Sequence, residues 1–206
     1  MTSEREALFN RLHQALDQRP DRAPYPEYDD QVVTAEPRLT EATLWEDFAR
    51  NFQAVSGRPM TALPEMTAFL GAQDVSVGYC DPALMDPIGK ACVEAGLVIH
   101  TTYDRERYDD YQFGITRASG AIAETGTVVL TDNDTSDRLG ALTPWIHVAV
   151  LPQQFLCRTI ADAIKTFGGE GNIIWATGPS KTADVEGILI EGVHGPGEQL
   201  CLRVDS

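Results

Sequence analysis

Lysine is scarce in this sequence, and cysteine is scattered. Only three of the 16 basic residues are lysine (Lys90, Lys165 and Lys181), against 31 acidic residues and a net charge of −15. Nucleic-acid binding rests on Lys and Arg neutralising phosphates, so this balance excludes nucleic acid as an expected partner. It weighs equally against an anionic membrane surface. No run of about 18 apolar residues occurs, so no membrane-spanning helix is expected. The four cysteines, Cys80, Cys92, Cys157 and Cys201, are widely spaced and form no C-x-x-C. That spacing argues against a zinc ribbon and against iron–sulfur ligation within this chain, and it reads as buried small hydrophobes. No Walker A loop and no G-x-G-x-x-G follows an apolar run, so nucleotide and dinucleotide fingerprints are missing. Neither a metal nor a bound cofactor is expected. The opening MTSEREALFN has early acids and no apolar segment. It does not read as a signal peptide, and a cytoplasmic address is expected.

What the sequence does contain is enough apolar material, 43% of 206 residues, to pack one substantial α/β domain or two small ones. Ser3 and Glu6 form a capping-box pattern ahead of Leu8, Leu12, Ala15 and Leu16, which recur at helical spacing. A Pro-rich arm, RPDRAPYPEYDD, follows at 19–30. Thr40 is the expected cap of a second helix carrying Leu44, Trp45, Phe48 and Phe52 on one face. These features set an N-terminal helical segment with its arm at 1–58, apart from an α/β domain at 59–206. In the second part, short apolar runs alternate with helical patterns. They include a strand in VSVGY, a helix capped by Asp86 with Pro87 at its first position, and the strand IHVAVL. A helix over about 153–167 and a buried strand NIIWA come next, and a last strand covers about 199–204. The rhythm predicts an α/β fold with a parallel sheet and crossover helices.

Three segments carry candidate chemistry. The first, TGPSKTADVEG (177–187), follows NIIWA in what reads as a strand–helix–strand unit from 146 to 176. Such a loop belongs at the carboxyl ends of the strands, where open α/β sheets bind ligands. Gly178 allows close backbone approach, Ser180 and Thr182 offer hydroxyls, and Lys181 supplies positive charge. Asp184 and Glu186 stand next to them. A plain turn capped by Ser, Thr and Asp fits the pattern equally well. In the second segment, AIAETGT (121–127), Glu124 and Thr125 sit at a bend among small apolar residues. Partial desolvation there would make Glu124 a usable base or nucleophile, or the bend would simply hold it with backbone amides. Third, GVHGP (192–196) places His194 between glycines, as a proton relay or a surface turn histidine. Arg117 in GITRASG is a cation able to receive a carboxylate bidentately. His147, at the start of IHVAVL, reads as a core histidine.

Taken together, GITRASGAIAETGTVVLTDN, TGPSKTADVEG and EGVHGP, in this order and spacing, resemble the lactate utilization protein C family, the LUD domain. The resemblance is strong over roughly 113–197. It implies an α/β fold with a Rossmann-like sheet and flanking helices, like that of the ribose-phosphate isomerase and CoA-transferase superfamily. It implies a bacterial system that oxidises L-lactate to pyruvate with iron–sulfur oxidoreductase subunits as partners. The expectation is therefore a lactate-utilisation subunit that binds a small hydroxy or keto acid. Glu124 and His194 are then the catalytic candidates. Gly178, Ser180, Lys181, Thr182, Asp184, Thr125 and Arg117 are the substrate-binding candidates. In CoA-transferase relatives a glutamate forms a covalent thioester, a role the resemblance suggests for Glu124. Two alternatives stay open: a stand-alone enzyme on a sugar phosphate or CoA thioester, and a non-catalytic assembly or regulatory module. Homo-oligomerisation is compatible with either. All readings of the site share one expectation, that Glu124 and Lys181 line a single polar hollow.

Overall fold

The leucines at helical spacing near the start form α1 (Glu4–Asp17), on which Leu8, Leu12 and Leu16 are all exposed. The structure is a computed structural model that describes residues 4–18, 27, 39–132, 137–169, 171–183 and 189–205. Ser3, the expected cap of α1, and all of the Pro-rich arm except Glu27 lie outside the described residues. The chain divides into two compact units, Met1–Glu36 and Pro37–Ser206. The division falls at 36/37, not at 58/59, because the second helix, α2 (Leu44–Ala54), packs inside the second unit with Phe48 and Phe52 fully buried. Its cap is Thr43, which forms a capping box with Glu46, and not Thr40. Among the described residues no helix is long and apolar enough to cross a membrane.

After α2 come β1 (Arg58–Met60), α3 (Leu63–Ala72) and β2 (Val77–Cys80). Asp81 and Pro82 then open a short turn that runs through Met85–Gly89 into α4 (Lys90–Glu94). The cap expected from Asp86 belongs to the earlier Asp-Pro pair: Asp81 accepts the Ala83 N–H, while Asp86 pairs with Lys90 at 2.7 Å. Next are β3 (Val98–His100), β4 (Phe113–Arg117), β5 (Gly120–Ile122) and β6 (Thr127–Thr131). They are followed by α5 (Leu139–Leu142), β7 (Ile146–Pro152), β8 (Leu156–Cys157) and α6 (Ile160–Phe167). The helix expected from 153 starts only at Ile160, because the Thr159–Asp162 capping box sets its first turn. The chain ends with β9 (Ile173–Ala176), the hairpin of β10 (Lys181–Thr182) and β11 (Ile190–Glu191), and β12 (Glu198–Val204).

Six of the described strands form a parallel sheet in the order β1-β12-β7-β4-β2-β3. Strands of such a sheet are buried on both faces, so β7 reads as a continuous apolar run. Alternate residues nevertheless serve different cores. Phe113, Ile115, Ile146, Val148, Leu200 and Leu202 meet Met66 and Leu70 of α3 and Cys92 of α4 on one face. Ala149, Leu151 and Cys201 meet Trp45, Phe48 and Phe52 of α2, with Val128 and Leu130, on the other. Those last two residues belong to a second sheet, β8-β5-β6-β9, with β5, β6 and β9 antiparallel and β8 parallel to β5. The second sheet lies close over α2. Gly126 in its β5–β6 turn has φ +63°, and a Cβ there would stand 2.2 Å from the Phe52 amide nitrogen. All four cysteines are free thiols. Burial pushes Cys80 up to about 12 and Cys92 up to about 11, and it raises Cys201 further, which suits inert core residues.

On the α2 face lies a buried polar triad, with His147 and Gln199 near the amino ends of β7 and β12 and Thr116 further along β4. His147 Nε2 is 2.9 Å from Thr116 Oγ1, and His147 Nδ1 meets the Gln199 amide at 2.8–3.0 Å. Burial lowers the His147 pKa to about 4, against a weaker opposing effect of the Gln199 hydrogen bond. The unfolded chain takes up this proton near pH 6.5, so between about pH 4 and 6.5 it binds more protons than the folded chain. The stability contributed by the neutral ring is complete above pH 6.5 and is lost as pH falls toward 4, about 3 kcal/mol in all. Urea unfolding at pH 7.0 and 4.5 should show His147→Gln losing this part of the acid dependence; equal pH dependence in both proteins would contradict it. In the same assay Gly126→Ala is expected to cost about 3 kcal/mol, since both its φ and the α2 backbone oppose a methyl group.

Candidate functional site

The loop after NIIWA does not lie where the strand–helix–strand reading put it. Strand β9 is half-buried and belongs to the second sheet, where Val129 faces Trp175 across an antiparallel pair. An apolar run of this length reads alike in either sheet, and only the free edge of β6 decides its partner. The loop and hairpin that follow come to the amino ends of β7 and β12. Their walls enclose a cleft of about 440 Å³ lined by Gly178, Ser180, Lys181 and His194, with His147 and Gln199 at its base.

Backbone contacts fix this arrangement. Gly178 has φ +75°, and a Cβ would lie 2.1 Å from the Val55 carbonyl oxygen, so only glycine allows the loop onto the end of α2. The Ser180 N–H donates to the Pro196 carbonyl at 2.9 Å, and the Ser180 carbonyl accepts from Gly192 at 2.8 Å. The loop is thus clasped to GVHGP. Lys181 Nζ donates to the Val55 carbonyl and to Ser56 Oγ, both at 3.1 Å, and pairs with Glu191 at 3.3 Å. Its ammonium has three protein acceptors for its three protons, so it works as a tether between β10 and α2. His194 is exposed at the rim, and Thr182 lies in β10 outside the cleft lining. Asp184 and Glu186 lie outside the described residues.

Glu124 and Thr125 sit elsewhere, and neither lines this cleft. The Glu124 carboxylate accepts the Ile160 N–H at 3.2 Å, capping the first turn of α6, and its own N–H donates to the Arg158 carbonyl. Asn51 of α2 donates from Nδ2 to the carbonyls of Ala123 (2.8 Å) and Glu124 (3.2 Å). Thr125 continues through Thr127 to Thr177 in a chain of hydroxyls at 2.7 and 2.8 Å. The ETG bend and the lysine loop therefore meet on α2 and through these threonines. They do not share the hollow expected of them.

A different cluster occupies the carboxyl ends. From β2 the chain continues outward to β3, whereas from β4 it continues the other way, to β7. Neighbouring strands whose connections part in this manner leave a crevice at their carboxyl ends. There Arg117, the last residue of β4, donates from Nε to Oδ2 of buried Asp81 at 2.8 Å. The other Asp81 oxygen accepts the Ala83 N–H at 2.8 Å, so the carboxylate is held from two sides. The Arg117 side chain is 39% exposed and forms part of a cleft of about 660 Å³. Arg158 and Ser119 line the same cleft, and Leu84, Phe155, Phe167 and Val204 supply apolar walls. The lining thus brings together Arg117 and Arg158, residues of the type that receives a carboxylate or phosphate, with Asp162 also present.

Among the expected substrate-binding residues, then, Gly178, Ser180 and Lys181 come together with His194, while Arg117 stands at the other end of the sheet. Asp81 and Arg158 were not expected at all. The sequence signal for Asp81 was Asp-Pro at a strand end, which marks its capping role. The pairing with Arg117 depends on the register Cys80 to Ile115, which no local pattern encodes. Among the described residues, no group of three or more His, Cys, Asp or Glu could hold a metal ion.

A family model described as the LUD domain matches residues 95–202. Lactate utilization protein C of Shouchella clausii is 30% identical over 165 residues, 74% of this chain and 72% of that protein. Lactate utilization protein C of Bacillus licheniformis is 33% identical over 108 residues, covering 48% of this chain and 45% of that protein. Its counterpart from Halalkalibacterium halodurans is 35% identical over 107 residues, covering 47% and 46%. These last two matches span somewhat less than half of each relative. A crystal structure of a DUF162 family protein from Deinococcus radiodurans aligns with a TM-score of 0.56 at 20% identity, covering 82% of this chain and 99% of that one. That likeness supports the α/β fold. By the family match and by its kinship to the Shouchella clausii protein, the chain belongs to the lactate utilization protein C family and carries its LUD domain.

Proposed function

We propose that this protein serves a lactate-utilisation system by binding a small 2-hydroxy or 2-oxo acid in the cleft at the carboxyl ends of the parallel sheet. The observation that carries the reading is the Arg117 guanidinium, fixed by buried Asp81 at the crevice between β2 and β4. A guanidinium oriented through Nε keeps a planar fork at a set angle, and this geometry suits a carboxylate. Arg158 is the second cation of the cleft, and Ser119 lines it beside them. The names of the relatives supply lactate as the substrate class, and its oxidation product, pyruvate, is proposed beside it. In this reading iron–sulfur subunits in the cytoplasm take the electrons, and this chain presents or senses the acid.

Glu124 is left with a structural duty in this account, since its carboxylate caps α6. Lys181 likewise tethers a hairpin and does not receive the anion. Calorimetric titration with L-lactate and with pyruvate tests the proposal. Arg117→Lys keeps the charge and loses the fork, and it should weaken binding about tenfold or more. Lys181→Ala should leave binding within about twofold of the wild type. The opposite pattern, with Lys181→Ala defective and Arg117→Lys unaffected, would move the site to the amino-end cleft. Absence of binding to the wild type would remove the ligand and favour an assembly module. Arg117→Met should also cost roughly 2 kcal/mol of stability in urea unfolding, because Asp81 is then buried without its cation.

A further inference from the structure

The carboxyl-end cleft is larger and more apolar than lactate requires. Its volume of about 660 Å³ lies in the range that holds drug-sized ligands, whereas lactate carries one methyl group beyond its polar atoms. The two arginines stand with Asp162 and Thr166 in a crevice whose other walls are largely hydrocarbon. Leu84 lies just beyond the end of β2, Val204 ends β12, and Phe155 and Phe167 flank the second sheet. Phe155 is 48% exposed although it borders this crevice, so its ring keeps surface that a ligand could cover. An anion-binding end beside an apolar trough is the pattern for a molecule with a carboxylate head and a hydrocarbon body.

Building on the carboxylate reading of this cleft, we infer that the preferred ligand is a 2-hydroxy or 2-oxo monocarboxylic acid with a branched or aromatic side chain. Arg117 and Arg158 receive the carboxylate, and the side chain lies against Phe155 and its apolar neighbours. Each methylene removed from water should tighten binding about fourfold until the trough is filled. The gain comes from area covered and calls for no further polar contact.

Titration with a homologous series checks this: lactate, 2-hydroxybutyrate, 2-hydroxy-4-methylpentanoate and 3-phenyllactate, each with its 2-oxo counterpart. Affinity is expected to climb along the series. Phe155→Ala, a change at a half-exposed side chain, should lower affinity for 3-phenyllactate about fivefold and leave lactate unchanged. Arg117→Lys should weaken all members alike. If lactate binds and longer acids bind equally or more weakly, the side-chain preference is wrong and the carboxylate site stands. If no acid in the series binds, both fail. If the series climbs but Phe155→Ala does not flatten it, the hydrocarbon body lies in another cleft and the inference is overturned.

Discussion

The parallel sheet has two faces to bury, and the second of them depends on how α2 is held. On the first face, α3 and α4 cover the strands in the ordinary manner of an α/β layer. On the second, the sheet presents small and polar side chains, among them Thr116, His147, Ala149 and Cys201, and the aromatic ridge of α2 fills the space above them. Asn51 then fastens the reverse side of α2 to the carbonyls of Ala123 and Glu124. Because Asn51 is buried, these carbonyls would lose their partners if the helix moved, and an unpaired buried polar group costs about 1–3 kcal/mol. The helix is thus a shared surface: the main sheet packs on one side, the second sheet on another, and the lysine loop on its last turn. Gly126 and Gly178 mark two of those approaches, each with positive φ and each within a bond length or so of α2 backbone once a Cβ is imagined.

That arrangement separates the two ends of the sheet electrostatically. Beneath the amino-end cleft His147, Thr116 and Gln199 are buried and mutually satisfied, and burial holds the His147 pKa well below its ordinary value. At the carboxyl ends a buried carboxylate is paired at 2.8 Å with a guanidinium that also reaches solvent. A buried pair is weak evidence of stabilisation, since desolvation offsets much of the attraction. Its consequence here is directional. Asp81 is pinned by its own backbone turn, so it sets the plane of Arg117 relative to the strand ends. In a chain with net charge −15, an anionic ligand is best met where cations gather, and Arg117 and Arg158 gather in this crevice although Asp81 and Asp162 offset their charge.

The α/β class, most of the parallel strands and the family motifs were all visible in the residue pattern, because period and turn chemistry are local properties. The strands VSVGY, IHVAVL and the last one all joined the parallel sheet. What failed was pairing at a distance. NIIWA has the apolar content of a central parallel strand, yet it lies antiparallel against β6, and this one misplacement carried the whole TGPSKT loop to the wrong end of the sheet. Likewise the second helix looked like part of an N-terminal appendage because its packing partners, Val128, Leu130 and Leu151, come some eighty to a hundred residues later in the chain. Arg117 was legible as a candidate cation. Its partner Asp81 was not, since a parallel register places them together across 36 residues.

The lysine shows why scarcity alone is a poor guide to function. In an acidic chain with three lysines, one set among glycine and hydroxyl residues invites the reading of an anion receptor. Whether a cation can receive an anion depends on what its protons already meet. The three donors of Lys181 meet two oxygens at the end of α2 and the carboxylate of Glu191, so an incoming anion would have to displace neighbours that hold the hairpin in place. Arginine differs in geometry. Its five N–H donors lie in one plane, and the Nε contact to Asp81 orients that plane from the side. An ion pair that would consume a lysine therefore organises an arginine. By this argument the carboxyl-end cleft is the better place for a carboxylate, whatever the order of motifs along the chain suggests.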